Sequence, residues 1–175
     1  MVSCRVVLNE PCGLGKRLFT IECRCNVDEL VKIVGKEVED VVRELVVKRS
    51  AASGLFAMGL TSCLPRCSAF VQSWIDSLLC YDEYARRDIE SARKMFDEVL
   101  DLKHRLEDLL RSAIASAFVK LSVVEDERYI FLQVVKVTRD EVVFTVQPCR
   151  DHAWICVDAN PSVVAREIEK KFLQG

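Results

Sequence analysis

The sequence predicts an α+β fold. It comprises a five-strand antiparallel sheet, made by an N-terminal hairpin and a C-terminal meander, packed by two helices and interrupted by a long helical-hairpin insertion at 54–121. Three observations carry this. Apolar and polar residues alternate at both ends of the chain. The middle instead repeats apolar residues every three or four positions. Helix-start signals at Asn26 and Asn160 directly follow the two alternating regions.

Residues 3–9 (SCRVVLN) and 17–24 (RLFTIECR) read as the strands of the hairpin, with Pro11, Gly13 and Gly15 in a longish loop between them. Centring the turn on Gly13 and Leu14 sets Leu8 opposite Phe19, Val6 opposite Ile21 and Cys4 opposite Cys23. A slip by one residue would scatter these apolar pairs over both faces, so the register is well specified.

Asn26 and Glu29 form a capping-box pattern at the start of the first helix. Leu30, Val34, Val38, Val41 and Leu45 make its inner stripe, widened by Val31, Val42 and Val46. Gly35 falls inside that stretch, where it lowers helix propensity by about 1 kcal/mol relative to alanine. Residues 50–67 are apolar and nearly uncharged, and read as a short helix or turn ended by Pro65. Ser68 is placed to cap a helix bearing Phe70, Val71, Trp74, Ile75, Leu78 and Leu79.

A long helix follows, from Asp82 to about Leu121. Its row of Ala85, Ile89, Ala92, Phe96, Val99, Leu102, Leu106, Leu110, Ala113 and Ala117 resembles the seam of a coiled coil. Glu83 with Arg87, Glu90 with Lys94, Asp101 with Arg105 and Glu107 with Arg111 are spaced for i,i+4 ion pairs. A long helix with a narrow apolar seam requires a cover, so the insertion reads as an arm for a protein partner or for self-association.

After Val124 the period returns to two. Residues 129–137, 142–147 and 153–158 read as three strands, with a tight turn at Arg139 and Asp140. Their inner face is expected to hold Phe131, Val135, Val137, Val142, Phe144, Val146, Ile155 and Val157. Asn160 caps the final helix, Pro161 takes its first position, and Val164, Ile168 and Phe172 form its inner stripe.

Half the residues are apolar and 30% are charged, as in a folded chain of one domain. The net charge of −2 supplies no general attraction to nucleic acid or anionic lipid. No run of about 18 apolar residues is present to span a membrane, and the first ten residues include Arg5, Asn9 and Glu10, unlike a secretory signal. The expected location is the cytoplasm. Nine Cys, only three Asn and four Gln, and fifteen Arg against ten Lys point to a hyperthermophile, in which intracellular disulfides occur.

The cysteines are the candidate sites. Cys149, His152 and Cys156 supply three potential ligands for zinc or an iron–sulfur cluster, and a fourth has to come from elsewhere, where Cys63 and Cys67 could supply one or two. The favoured reading is simpler: small apolar or disulfide-bonded cysteines beside a turn histidine, with no cofactor. Cys4 faces Cys23 in the hairpin register, with Cys25 as competitor, and Cys63 with Cys67 is the next candidate disulfide. Cys12, in the glycine loop, reads as the most oxidisable thiol.

GLGKR at 13–17 is not a phosphate loop, since its glycines are misspaced and it enters a strand. His104, flanked by Lys103 and Arg105, reads as solvated, and the run from Glu125 to Arg128 as a charged linker. Basic residues on the long helix are interleaved with acids, which weakens a nucleic-acid reading.

The expectation is therefore a non-catalytic interaction or scaffold subunit, not an enzyme. Two alternatives stand beside it. One is a subunit of a DNA replication or processing complex, a reading that rests on a loose architectural likeness to GINS subunits and on no motif. The other is a Cys/His metal protein.

Overall fold

In a computed structural model of the chain, residues 2–56, 83–150 and 153–173 are described. Contacts divide the chain into two compact units, Met1–Val42 with Arg105–Gly175, and Arg43–His104. The first contains an antiparallel sheet. Strands β1 (Ser3–Gly13), β2 (Lys16–Asn26), β3 (Ile130–Val137) and β4 (Glu141–Arg150) take the order β1-β2-β4-β3, and the two-residue strand β5 (Ala153–Trp154) pairs with the end of β4. The expected α+β class and five-strand antiparallel sheet are both present.

The hairpin is longer and tighter than the sequence suggested. Its strands continue through Pro11 and Cys12 to a two-residue turn at Leu14 and Gly15. Leu14 (φ 56°) and Gly15 (φ 77°) both have positive φ, as the primed turns matching strand twist require. Cys4 does pair with Cys23, and Val6 with Ile21. Leu8, however, pairs with Thr20, and Asn9 takes the place opposite Phe19. A bulge between Val6 and Leu8 adds one residue to β1 and moves everything beyond it out of the expected register.

The central seam of the sheet is β2 on β4, from Ile21 opposite Val146 to Asn26 opposite Glu141. Ile21, Cys23 and Cys25 lie opposite Val146, Phe144 and Val142, and all six are buried. Leu132 and Val134 of β3 extend this apolar face, opposite Val146 and Phe144. On the other face, Thr20 donates its hydroxyl hydrogen to Gln147 Oε1 at 2.9 Å, and both residues are buried. A buried polar group without such a partner would cost about 1–3 kcal/mol.

Two expected inner residues of β3 face outward. Phe131 and Val135 are exposed, whereas Ile130, Leu132 and Val134 are buried. A second bulge, between Val134 and Lys136, inverts the alternation along the strand, so Val137 returns to the inside. The third meander strand is also shorter than 153–158. It stops at Trp154, and beyond it only Val157 bridges to Arg17, through bonds of 2.8 and 2.9 Å.

Helix α1 (Val27–Val34) begins where Val27 N–H meets Asp140 O, at 2.9 Å. The expected capping box is not formed, since the Asn26 side chain makes no cap hydrogen bond. Gly35 ends α1 instead of lying within one continuous helix. Its φ of 112° is open to glycine, and its N–H returns to Val31 O at 3.0 Å. Helix α2 (Lys36–Phe56) starts immediately after it. Across the break the inner stripe keeps Leu30, Val38, Val41, Val42 and Leu45 buried, while Val31, Val34 and Val46 are half-buried.

Helix α3 (Glu83–Lys120) matches the expected long helix within a residue at each end. Among its described side chains, Leu102, Leu106, Leu110, Ile114, Ala117 and Phe118 are the buried apolar ones. Ile114 and Phe118 replace Ala113 in the row, because repeated steps of four let the stripe drift around the helix. The segment between α2 and α3, with the expected helix after Ser68, lies outside the described residues. Helix α4 (Pro161–Leu173) follows the sequence reading closely. Asn160 Oδ1 accepts the Ser162 N–H at 3.0 Å, and Val164, Ile168 and Phe172 are buried. It packs on β1 and β2, while α1 packs on β2 and α4.

Of the ion pairs expected along α3, Glu83 with Arg87 and Glu90 with Lys94 involve side chains outside the described residues. Arg105 reaches Glu37 of α2 through Nε (3.1 Å) and Nη2, and Arg111 pairs with Asp108 at 2.8 Å. Glu107 is buried, and its Oε2 accepts the Val134 N–H at 2.8 Å, beside the β3 bulge. The carboxylate thus fastens the helix to a backbone donor that the bulge has displaced.

Replacing Glu107 by leucine is expected to destabilise the protein by about 2–3 kcal/mol, because the buried Val134 N–H loses its acceptor. Glu107→Gln keeps an acceptor oxygen and should cost less than half as much. Urea denaturation of both variants checks this, and equal losses would count against the hydrogen bond as the cause.

Candidate functional site

Two places in the sheet-bearing unit concentrate reactive or recognition chemistry: its cysteines, and a cleft at the C-terminal end of α3. The hairpin register places Cys4 directly across from Cys23, with Cα atoms 4.1 Å apart and sulfurs at bonding distance, 2.13 Å. Cys23 is fully buried. Cys25, the expected competitor, is a free and buried thiol. Burial first, and the nearby negative charge of Glu29 second, push its pKa up to about 12. A thiol so held is a core residue and not a nucleophile.

A second disulfide joins Cys12 to Cys156, with sulfurs 2.13 Å and Cα atoms 6.2 Å apart. Sequence reasoning did not pair them. Cys12 is carried to its position by a strand longer than expected, and Cys156 by the bridge of its neighbour Val157 to Arg17. The available signals are an exposed Cys12 in the glycine loop and a Cys156 that alternates away from Ile155 and Val157. In the chain-entropy view, closing loops of 19 and 144 residues constrains the unfolded chain by about 3 and about 5 kcal/mol respectively.

This pairing bears on the set Cys149, His152 and Cys156. The Cys156 sulfur is joined to Cys12, and Cys149 lies in β4 opposite Trp154, outside any disulfide. His152, Cys63 and Cys67 lie outside the described residues. Among the described residues, no group of three or more His, Cys, Asp or Glu side chains is placed to hold a metal ion.

The cleft was not foreseen from sequence. It measures about 460 Å³ and is lined by Val119, Ser122, Val123, Val124, Glu125, Tyr129, Arg150 and Ile155. The end of α3 shapes it. Val123 N–H bonds to Phe118 O at 2.9 Å and Ser122 N–H to Val119 O at 3.0 Å, the pair of bonds that defines a Schellman cap. The position that glycine usually fills is here Ser122, held at φ 57°. Just beyond, Asp126 Oδ1 accepts the Arg128 N–H at 2.8 Å, and its carboxylate takes further bonds from the Arg128 side chain. These bonds hold the Asp126 carboxyl below the usual range. They open the 3₁₀ turn Glu127–Tyr129.

The guanidinium of Arg150 lies 5.0 Å from the Tyr129 ring centre, and that of Arg128 5.8 Å. Such contacts are worth about 0.5–1 kcal/mol at exposed sites. The cleft thus offers an apolar wall, one cation, one carboxylate and two hydroxyls. That is an inventory for holding a small polar group against an apolar surface, with no nucleophile paired to a base.

No family model matches the chain, and no curated protein or solved structure does. Among the described residues, no helix is long and apolar enough to cross a membrane.

Two expectations follow. Ser122→Gly should raise stability by up to about 1 kcal/mol, and Ser122→Val should lower it by about 1 kcal/mol or more, since a β-branched residue resists positive φ. Denaturant midpoints that ranked the two variants the other way would remove the cap from the account. For Cys25, the folded pKa of about 12 exceeds the ordinary thiol value of 9.0, so between those values the unfolded chain releases a proton that the folded chain keeps. Stability from this thiol is complete below pH 9 and falls above it, by about 1.4 kcal/mol per pH unit. The stability difference between the parent and Cys25→Ala should therefore shrink from pH 8 to pH 10.5. A constant difference would contradict it.

Proposed function

We propose that this protein is a non-catalytic interaction subunit that assembles with a second copy of itself through the helices of residues 43–104. One observation carries the reading. In α3 the row Leu102, Leu106 and Leu110 is buried, and the sequence continues the same row N-terminally through Val99, Phe96, Ala92 and Ile89, at spacings of three and four. Helix α3 has 38 residues, or about 57 Å at 1.5 Å each, longer than a chain of this size needs to close one core.

The charges of α3 support a second copy as the partner. Asp88 and Glu90 lie between Arg87 and Arg93, and Asp97, Glu98 and Asp101 between Lys94 and Lys103. Acids and bases alternate in short blocks along the helix, a pattern that an antiparallel copy of the same helix can complement. Within the unit, Lys48 of α2 reaches Glu44 at 3.3 Å and Glu98 of α3 at 3.5 Å, so the chain already uses such pairs between helices. Residues 51–80 add an apolar stretch whose only charges are Arg66 and Asp76. The reading places the protein in an intracellular assembly of a thermophile, on composition alone.

Light scattering over a range of concentrations tests the proposal. A mass near 40 kDa is expected, twice the 19.9 kDa of one chain. Phe96→Glu combined with Val99→Glu should return it to one chain, with the helical circular dichroism kept. A parent protein that stays at one chain mass at every concentration would overturn the reading.

A further inference from the structure

We propose that the Cys12–Cys156 disulfide is a redox-addressable clasp, opened by dithiol reductants while Cys4–Cys23 stays closed, and that opening it releases the tip of the β1–β2 hairpin. Three observations lead there. The first is the contrast in exposure between the two disulfides. Cys23 is fully buried and Cys4 half-buried, whereas Cys12 and Cys156 are both exposed. Thiol–disulfide exchange requires a thiolate to reach one sulfur in line with the bond, so access decides which disulfide reacts.

The second is what the clasp holds. The pairing of β2 with β4 runs only from Asn26 to Ile21. Beyond Ile21 the hairpin continues to its turn at Leu14 and Gly15 without a β4 partner for its backbone. Besides the Thr20–Gln147 side-chain bond and the buried Phe19 at the root, and the packing of α4 on β1 and β2, two kinds of link tie this outer part to the segment that precedes α4. They are the disulfide itself and the two backbone bonds between Arg17 and Val157. Cys156 adjoins Val157, so the covalent link and the bridge act at the same point.

The third is the cargo of the tip. Leu14 is fully exposed and held at a φ of 56°. An apolar side chain displayed at a turn fixed by the clasp is a surface whose position depends on the oxidation state of two cysteines.

The chemistry balances with a dithiol as co-reactant. A reductant thiolate attacks one sulfur of Cys12–Cys156, forming a mixed disulfide and expelling the other as thiolate. The reductant's second thiol, as thiolate, then displaces the bound cysteine. The reductant leaves as its own disulfide, two electrons have passed to the protein, and two protons complete the Cys12 and Cys156 thiols.

The test titrates the folded chain with dithiothreitol, quenches it in acid, alkylates it, and maps each cysteine by peptide mass. Cys12 and Cys156 should label together at a dithiothreitol concentration at least tenfold below that needed for Cys4 and Cys23. Amide exchange at Arg17 and Val157 should quicken at least tenfold in the reduced form, with the amides of 21–25 unchanged. The Cys12→Ser, Cys156→Ser variant should show the same exchange pattern without reductant. Joint reduction of both pairs would overturn the proposal, as would unchanged exchange at Arg17 and Val157 in the reduced protein and in the variant.

Discussion

The antiparallel pairing of β2 with β4 is the constraint on which the rest of the sheet-bearing unit depends. Each flanking hairpin is local: β1 and β2 are joined by two residues, and β3 and β4 by a turn in which Thr138 Oγ1 accepts the Asp140 and Glu141 N–H groups. Neither hairpin alone has a closed core. Joining them brings Asn26 beside Glu141 and closes the whole helical region into a loop. Closure entropy grows by only about 0.6 kcal/mol for each doubling of a flexible loop, so an insertion of this length is tolerable once the seam is well made. The seam is well made: six buried side chains on one face, and a buried Thr20–Gln147 hydrogen bond on the other. Val27 N–H on Asp140 O secures one end of it, and Cys12–Cys156 lies past the other.

This division explains what could be read from the chain. Strand and helix types follow from periodicity, and hairpin register from the apolar pairs that a short turn brings together, so Cys4 opposite Cys23 was legible. Bulges were not. The extra residues at Val6–Leu8 and Val134–Lys136 leave no mark in the alternation except its inversion, and alternation alone therefore puts Phe131 and Val135 on the wrong face. The role of Glu107 was hidden similarly. In the sequence it is an i,i+4 partner for Arg111, and only the displaced Val134 N–H turns it inward.

The candidate sites show the same limit. Cys12–Cys156 depends on the strand lengthening past Pro11 and on one bridge far away in sequence. The cleft depends on Ser122 taking a conformation for which glycine would have been the visible signal. Sequence proximity suggested the grouping of Cys149, His152 and Cys156; the fold sends one of those sulfurs to the opposite end of the chain.

The two edges of the sheet bear on how the molecule associates. A long open edge strand invites pairing with another chain. Here β1 carries a bulge in mid-strand and Pro11, which has no N–H to offer, near its end. Edge strand β3 carries the second bulge, and Glu107 occupies its displaced donor. Charged residues Arg5, Glu10 and Lys136 stand exposed on these strands. Both edges are therefore poor templates for strand addition. The self-association proposed above therefore rests on side-chain surfaces, for which the sequence offers the apolar row of α3.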